Sequence, residues 1–403
     1  MKLNKLKITD IELKDKRVFT RLDLNVPLDS NCNITDDYRM VSALPTIRHI
    51  LEKGGKPILA SHLGRPKGKV VAELSMKPVR KQMEELLSTE VILARNIVGS
   101  DSIEMSNNLK TGQILLLENL RFDPGEKKND PDFSKQLSLL GDVYVNDAFG
   151  TAHRAHSSVS GITKYYEQRA MGFLMKKEMR WLGYVAENPN KPFIAVLGGA
   201  KISGKIDVIM NLIPRVDTIL IGGAMAFTFL KARGVNVGKS LVDDSKIDEA
   251  KKICKYAIEQ NTNFLLPNDF IVTTEISEDA QTEIVDRENI PEDRIGVDIG
   301  PMTIKIFTHA LLTAQTIFWN GPMGIFEIEK FSNGTLDIAR TIALTTRKGA
   351  IAVVGGGDSV SAVNQTGLQK SFTHISTGGG ASLEFIAGKE LPGIVSLSDR
   401  ENT

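Results

Sequence analysis

Short, nearly unbroken apolar runs alternate with stretches of helical spacing along this chain, and that rhythm restricts the fold more than any other feature. The first half carries RVFTRLDL (17–24), KPILASHLG (56–64), QILLLENL (113–120) and DVYVNDAFG (142–150). The second carries KPFIAVLGGAK (191–201), DTILIGGAM (217–225), AQTIFWNGPMG (314–324), GAIAVVGGGDS (349–359) and FTHISTGGGAS (372–382). A strand with one wet face alternates apolar and polar residues, whereas one covered on both faces reads as a continuous run. The pattern predicts an α/β chain with two parallel sheets flanked by helices. A length of 403 residues is comfortable for two cores and excessive for one. The linker is placed in GFLMKKEMRWLGYV (172–185), ahead of a break at Glu187, Asn188, Pro189 and Asn190; this segment also reads as a peripheral helix of the second half.

Composition removes several functions. Lys and Arg number 50 against 49 Asp and Glu, a net charge of +1, so no global field draws in a polyanion. The apolar runs fall short of the roughly 18 to 20 residues of a membrane span. The opening MKLNKLKITD lacks the apolar centre of a signal peptide. Cys32 and Cys254 suit neither a disulfide framework nor a cysteine-rich zinc site. A cytoplasmic protein is expected.

Ligands of open parallel sheets bind beyond the carboxyl ends of the strands. In the second half those ends are glycine: Gly198 and Gly199, Gly222 and Gly223, Gly321, then Gly355, Gly356 and Gly357, and Gly378, Gly379 and Gly380. Glycine lets backbone N–H groups approach a phosphate, and a following helix adds its positive end. A nucleotide site is indicated, because repetition on one sheet exceeds what turn propensity alone supplies. GVNVGKS (234–240) imitates a P-loop but has Arg233 where that loop needs glycine and does not follow a strand. GGAKISGK (198–205) is the better cradle, with Lys201 and Lys205 expected on one face of the opening turns of a helix. Asp358 in GGGDS reads either as a helix cap or as a Mg²⁺-positioning carboxylate.

The first half ends its strands in polar groups: Asp23 and Asn25, then HLGRP (62–66) with His62 and Arg65, then Arg121, then His153, Arg154 and His156, with Arg39 on a downstream element. Several arginines at strand ends suit a small, doubly anionic ligand, since guanidinium meets phosphate or carboxylate in a planar fork. His153 and His156 have no carboxylate or thiol at fitting spacing, so they read as anion partners rather than metal ligands.

Together RLDLNVP, SHLGRP, LENLRF, NDAFGTAHRAHSS, GGAKISGK, GGAMAFTF, WNGPMGIFE, GGGDS and STGGGASLE resemble the phosphoglycerate kinase family, in its order and over essentially the whole chain. The resemblance implies two Rossmann-like parallel-sheet domains joined by a hinge helix, with a deep cleft. It implies an N-terminal phosphoglycerate domain (1–171), a hinge (172–189), a nucleotide domain (190–390) and a tail (391–403) returning to the first. The substrates it implies are 3-phosphoglycerate or 1,3-bisphosphoglycerate and Mg-ADP or Mg-ATP, in a monomer with no nucleic-acid or membrane partner. Matching motifs assign Asp23, Leu24, Asn25, Arg39, His62, Leu63, Gly64, Arg65, Arg121, His153, Arg154 and His156 to the phosphoglycerate site. They assign Gly199, Lys201, Lys205, Gly222, Gly223, Gly296, Asn320, Pro322, Glu327, Gly355, Gly356, Gly357, Asp358 and Ser359 to the nucleotide, with Asp358 on the metal. Arg39, Lys201 and Lys205 take the catalytic roles, and Ser376, Thr377, Gly378, Gly379 and Gly380 the closure role. Gly204 and Ser359 depart from the family, where many relatives carry Asp and Thr.

Overall fold

The computed structural model describes residues 4–400. The first six strands are β1 (Arg17–Leu22), β2 (Lys56–Ala60), β3 (Val91–Leu93), β4 (Ile114–Leu116), β5 (Val143–Asp147) and β6 (Arg169–Met171). They form one sheet in the order β3-β4-β2-β1-β5-β6, every pair parallel. Central β1 sets Thr20 between Leu59 of β2 and Val145 of β5. Every residue of β1 after Arg17 is buried, which is why its sequence shows no alternation.

The later strands are β7 (Phe193–Leu197), β8 (Thr218–Ile221), β9 (Asn263–Leu265), β10 (Asp269–Thr273), β11 (Thr282–Asp286), β12 (Ile295–Ile299), β13 (Thr316–Asn320), β14 (Ile351–Gly355) and β15 (His374–Ile375). Six of them build a second parallel sheet, β15-β14-β13-β7-β8-β9, the doubly wound order in which the strand order reverses between β7 and β13. Alternate residues Ile194, Val196, Ile317, Trp319, Ala352 and Val354 share a core with Phe307 and Leu311 of the helix Pro301–Leu312 and Ile338 and Ile342 of the helix Asn333–Arg347. The remaining three strands form a separate antiparallel sheet, β11-β10-β12, which the sequence did not announce. Four of the five residues of β11 are exposed, and Gly296 and Asp298 interrupt β12, so neither carries an apolar run.

The chain divides into two compact units: one holds the described residues through Arg180 and from Glu390 onward, the other is Trp181–Lys389. The helix Phe173–Glu187 runs across that division in sequence. Within the first unit the tail lies on the segment after β5: Asn146 Nδ2 donates to Gly393 O at 3.1 Å and Gly393 N to Ala152 O at 2.8 Å. Residues 401–403 of that tail lie outside the described residues. Among the described residues no helix is long and apolar enough to cross a membrane.

Candidate active site

In the first unit the segments leaving β1, β2, β4 and β5 meet beyond the carboxyl ends of the strands. Asn25, His62, Gly64, Arg65, Arg121, Arg154 and His156 line a cavity of about 490 Å³, together with Lys67 and Lys127, which sequence reasoning missed. The backbone around it is fixed by short bonds: Asn25 Oδ1 accepts from Gly64 N at 2.8 Å, Arg121 Nη1 donates to Gly64 O at 2.7 Å, and Asn119 Oδ1 accepts from Leu63 N at 3.1 Å. Leu24 and Leu63 are buried beneath the cavity rather than lining it. Arg39, second residue of the helix Tyr38–Glu52, pairs with nearly buried Asp23; a cation at a helix N-terminus is otherwise unfavourable. Arg154 Nε donates to His153 Nε2 at 3.2 Å, and of the two only Arg154 lines the cavity.

Five cations crowded around one cavity repel one another. Burial, then Arg154 and Arg21, pull Arg121 down to about 10, so it remains charged near neutrality. Burial and the same guanidinium groups hold His156 at about 4 and His62 well below its usual range, leaving both imidazoles neutral. Arg121 Nε is buried without a hydrogen-bond partner. A buried, unused donor among like charges is the preorganised counterpart of an anion.

In the second unit Gly199, Gly223, Gly296, Pro322, Glu327 and Asp358 line a cavity of about 260 Å³. Its apolar walls, absent from the sequence reading, include Phe227, Leu241, Phe270, Ile276 and Met323, with the two phenyl rings 4.6 Å apart. Leu241 and Ile276 are each 52% exposed, so this wall presents apolar surface to solvent. Ser240 of the imitation P-loop instead accepts from Gly296 N at 2.9 Å, holding β12 in place.

The other assigned residues tie strand ends together beneath this cavity. Asn320 Nδ2 donates to Gly355 O at 2.7 Å, and Ser359 Oγ accepts from Gly321 N at 2.6 Å. Gly222 packs on Met323, while Gly356 caps the helix Gly357–Thr366 with φ +94°. Asp358 is exposed in the first turn of that helix, with the helix N-terminus capped by no side chain. Ser376 is buried after β15, its hydroxyl 2.6 Å from that of Ser382, and Gly379, with φ +52°, opens the helix Gly380–Ile386; Thr377 and Gly378 complete that turn.

One expectation fails here. Lys201 and Lys205 do not share a helical face: the helix begins only at Ile206, and residues 201–205 form the turn before it, closed by Lys205 N donating to Ile202 O at 2.8 Å. Lys201 is exposed, whereas Lys205 Nζ donates to Gly198 O and to Asn320 O, the carbonyls ending β7 and β13, at 2.5 and 2.8 Å. Two cations opening a helix would oppose its dipole, and buried Ile202 anchors the turn instead. Gly204 has nothing within 4 Å of where a Cβ would sit, so its backbone leaves room for a carboxylate side chain.

Burial pushes Lys205 down to about 7, against the opposing pull of Asp358. The unfolded chain therefore binds a proton that the folded chain lacks between pH 7 and 10.5, and stability rises with pH across that window. A phosphate chain beside Nζ would restore the charge. At pH 8 nucleotide binding should take up close to one proton, read from calorimetry in buffers of different ionisation enthalpy. Lys205→Met should abolish the uptake, and uptake unchanged in that variant would remove Lys205 from the phosphate site.

Among the described residues no group of three or more His, Cys, Asp or Glu is placed to hold a metal ion. A lone exposed carboxylate suits Mg²⁺ that arrives on nucleotide phosphates, since that ion keeps most of its other ligands as phosphate oxygens and water.

A glycine-ended doubly wound sheet beside an apolar pocket, and a second parallel sheet ending in a guanidinium cluster, define a two-unit α/β phosphotransferase. The phosphoglycerate kinase family model matches residues 8–389. The chain is 55% identical over 397 residues to the phosphoglycerate kinase of Chlorobium phaeobacteroides and 54% identical to that of Prosthecochloris aestuarii, covering 98% of this chain and all of each relative. It is similar to the solved phosphoglycerate kinase of Coxiella burnetii, with TM-score 0.87 and 39% identity over 97% of this chain and 98% of that one. The enzyme of Pyrococcus horikoshii follows with TM-score 0.81, 33% identity and the same coverage. This chain belongs to the phosphoglycerate kinase family, and is a phosphotransferase of glycolysis.

Proposed function

We propose that the cationic cavity holds 3-phosphoglycerate or 1,3-bisphosphoglycerate, that the glycine-lined pocket holds Mg-ADP or Mg-ATP, and that the phosphoryl group passes in line between them. The observation that carries the reading is the cavity's composition: five cationic side chains, two imidazoles kept neutral, and a buried guanidinium donor with no partner. The acceptor is a carboxylate, ionised near neutrality, so the site needs no base to take a proton. The demand is electrostatic. Arg39 and Lys201 flank the transferred group, Lys205 and the backbone N–H groups of 355–359 hold the phosphates, and Asp358 orients the metal. Arginine at the acceptor and backbone donors at the nucleotide stabilise equatorial oxygens whose charge peaks in the transition state.

The acyl phosphate is prone to hydrolysis, so transfer follows a closure that excludes water, with the helix Phe173–Glu187 and the 376–380 turn as the flexing elements. The chain acts as a monomer in the cytoplasm. A coupled assay tests the substrate assignment: ATP consumption should require 3-phosphoglycerate, and plain glycerate should support less than about one per cent of that rate, because it lacks the phosphate the cavity is built to grip. Equal turnover with glycerate would overturn it.

A further inference from the structure

Beneath the cationic cavity lies a fully buried charge network that the reaction itself does not use. Arg21, on the β1 side opposite Val18 and Leu22, is 1% exposed. Its Nε donates to Ser158 Oγ at 2.8 Å, its Nη1 to Leu22 O, and its Nη2 lies 3.3 Å from His62 Nδ1. Ser158 passes the contact on: its hydroxyl donates to Glu126 Oε1 at 2.6 Å and its backbone N–H to Glu126 Oε2 at 2.9 Å. Glu126 is itself 1% exposed, and its Oε1 lies 3.8 Å from His156 Nδ1. Both carboxylate oxygens therefore accept, and the single Ser158 hydroxyl proton fixes the direction Arg21 to Ser158 to Glu126. Burial pushes the Glu126 carboxyl up, while Arg21, the two Ser158 bonds and Arg121 pull it down.

We propose that Glu126 is the internal counter-charge of the substrate cavity, a positioning residue that holds Arg21, Ser158 and the two imidazoles in place while no anion is bound. The inference rests on reading that cavity as the phosphoglycerate site. Like-charged guanidinium groups at Arg21, Arg121 and Arg154 would otherwise separate or draw in water. When the substrate's phosphate and carboxylate enter, they supply negative charge from above, and the cluster depends less on Glu126. Glu126 and the substrate thus stabilise the same cations from opposite sides.

Thermal unfolding with and without millimolar 3-phosphoglycerate separates this role from a merely structural one. Glu126→Gln, close in shape but neutral, should lower the midpoint of the free protein by roughly 5 °C. It should also enlarge the ligand-induced rise to about twice that of the unaltered chain. Glu126→Asp, which keeps the charge, should leave the ligand-induced rise at the unaltered value. Should Glu126→Gln not fold alone, recovery on refolding with 3-phosphoglycerate supports the proposal, and failure with ligand as without it overturns it. Equal losses with and without ligand also overturn it, as does an Asp variant that behaves like the Gln variant. An unaltered chain that 3-phosphoglycerate does not stabilise would instead indict the substrate reading.

Discussion

Replacing Arg39 with alanine is expected to lower kcat by about 100- to 1000-fold, because losing one well-aimed donor to developing charge costs about 3 to 4 kcal/mol of barrier. The KM for nucleotide should stay within about twofold, since Arg39 belongs to the first unit and every nucleotide contact proposed here belongs to the second. One complication is local. Arg39 pairs with Asp23, which is 6% exposed and whose Oδ1 already lacks a partner, so the alanine variant leaves a nearly buried carboxylate unpaired. Arg39→Lys separates the effects: it keeps a cation beside Asp23, restoring stability, but loses the planar fork and should remain at least about tenfold slow. An alanine variant with unchanged kcat would remove Arg39 from the transition state.

Gly223→Ala should be still more damaging to the nucleotide half. Gly223 has φ +63°, a conformation that costs a residue with a Cβ roughly 1 to 2 kcal/mol. A Cβ there would also stand 2.8 Å from Gly199 O and 2.9 Å from Pro322 O, backbone atoms at the ends of two other strands. None of these is a flexible side chain able to swing away. Either the β7 and β13 turns move apart, breaking Lys205's contacts with Gly198 O and Asn320 O, or the second unit loses stability. Nucleotide affinity is expected to fall at least about 100-fold, a loss in keeping with misplaced phosphate donors. Binding of 3-phosphoglycerate should persist within about threefold, because the first unit has its own sheet and core. Calorimetric titration with each substrate alone reads both numbers, and undiminished nucleotide affinity would place the phosphates elsewhere.

What the sequence disclosed follows from physics that acts locally. A strand buried on both faces leaves an unbroken apolar run, and a ligand at its carboxyl end leaves glycine or arginine immediately after it. Thus the turns after β1, β2, β5, β7, β13 and β14 were legible, along with many of the glycine and cationic residues that the two cavities gather. Arg21 and Glu126 were not, although Arg21 opens the RLDLNVP motif and Glu126 closely follows LENLRF, because a buried ion network is defined by distance in space: Arg21 and Ser158 are 137 positions apart. The apolar wall of the second unit's cavity was hidden for the same reason, being gathered from Phe227, Phe270 and Met323 on separate segments. The antiparallel sheet escaped because β11 is mostly exposed. Lys201 and Lys205 misled through their spacing: four residues suggest one helical face, but a turn anchored by Ile202 delays the helix until Ile206.

The central claim is that two separate anion sites, one in each unit, are occupied by different reactants. Amide hydrogen exchange followed by mass spectrometry on the full chain tests it most directly. With 3-phosphoglycerate alone, protection is predicted at 62–67, 119–127 and 153–158; with Mg-ADP alone, at 198–205, 321–327 and 355–359. Protection of the same segments by both ligands, or of the second set by 3-phosphoglycerate, would contradict the account.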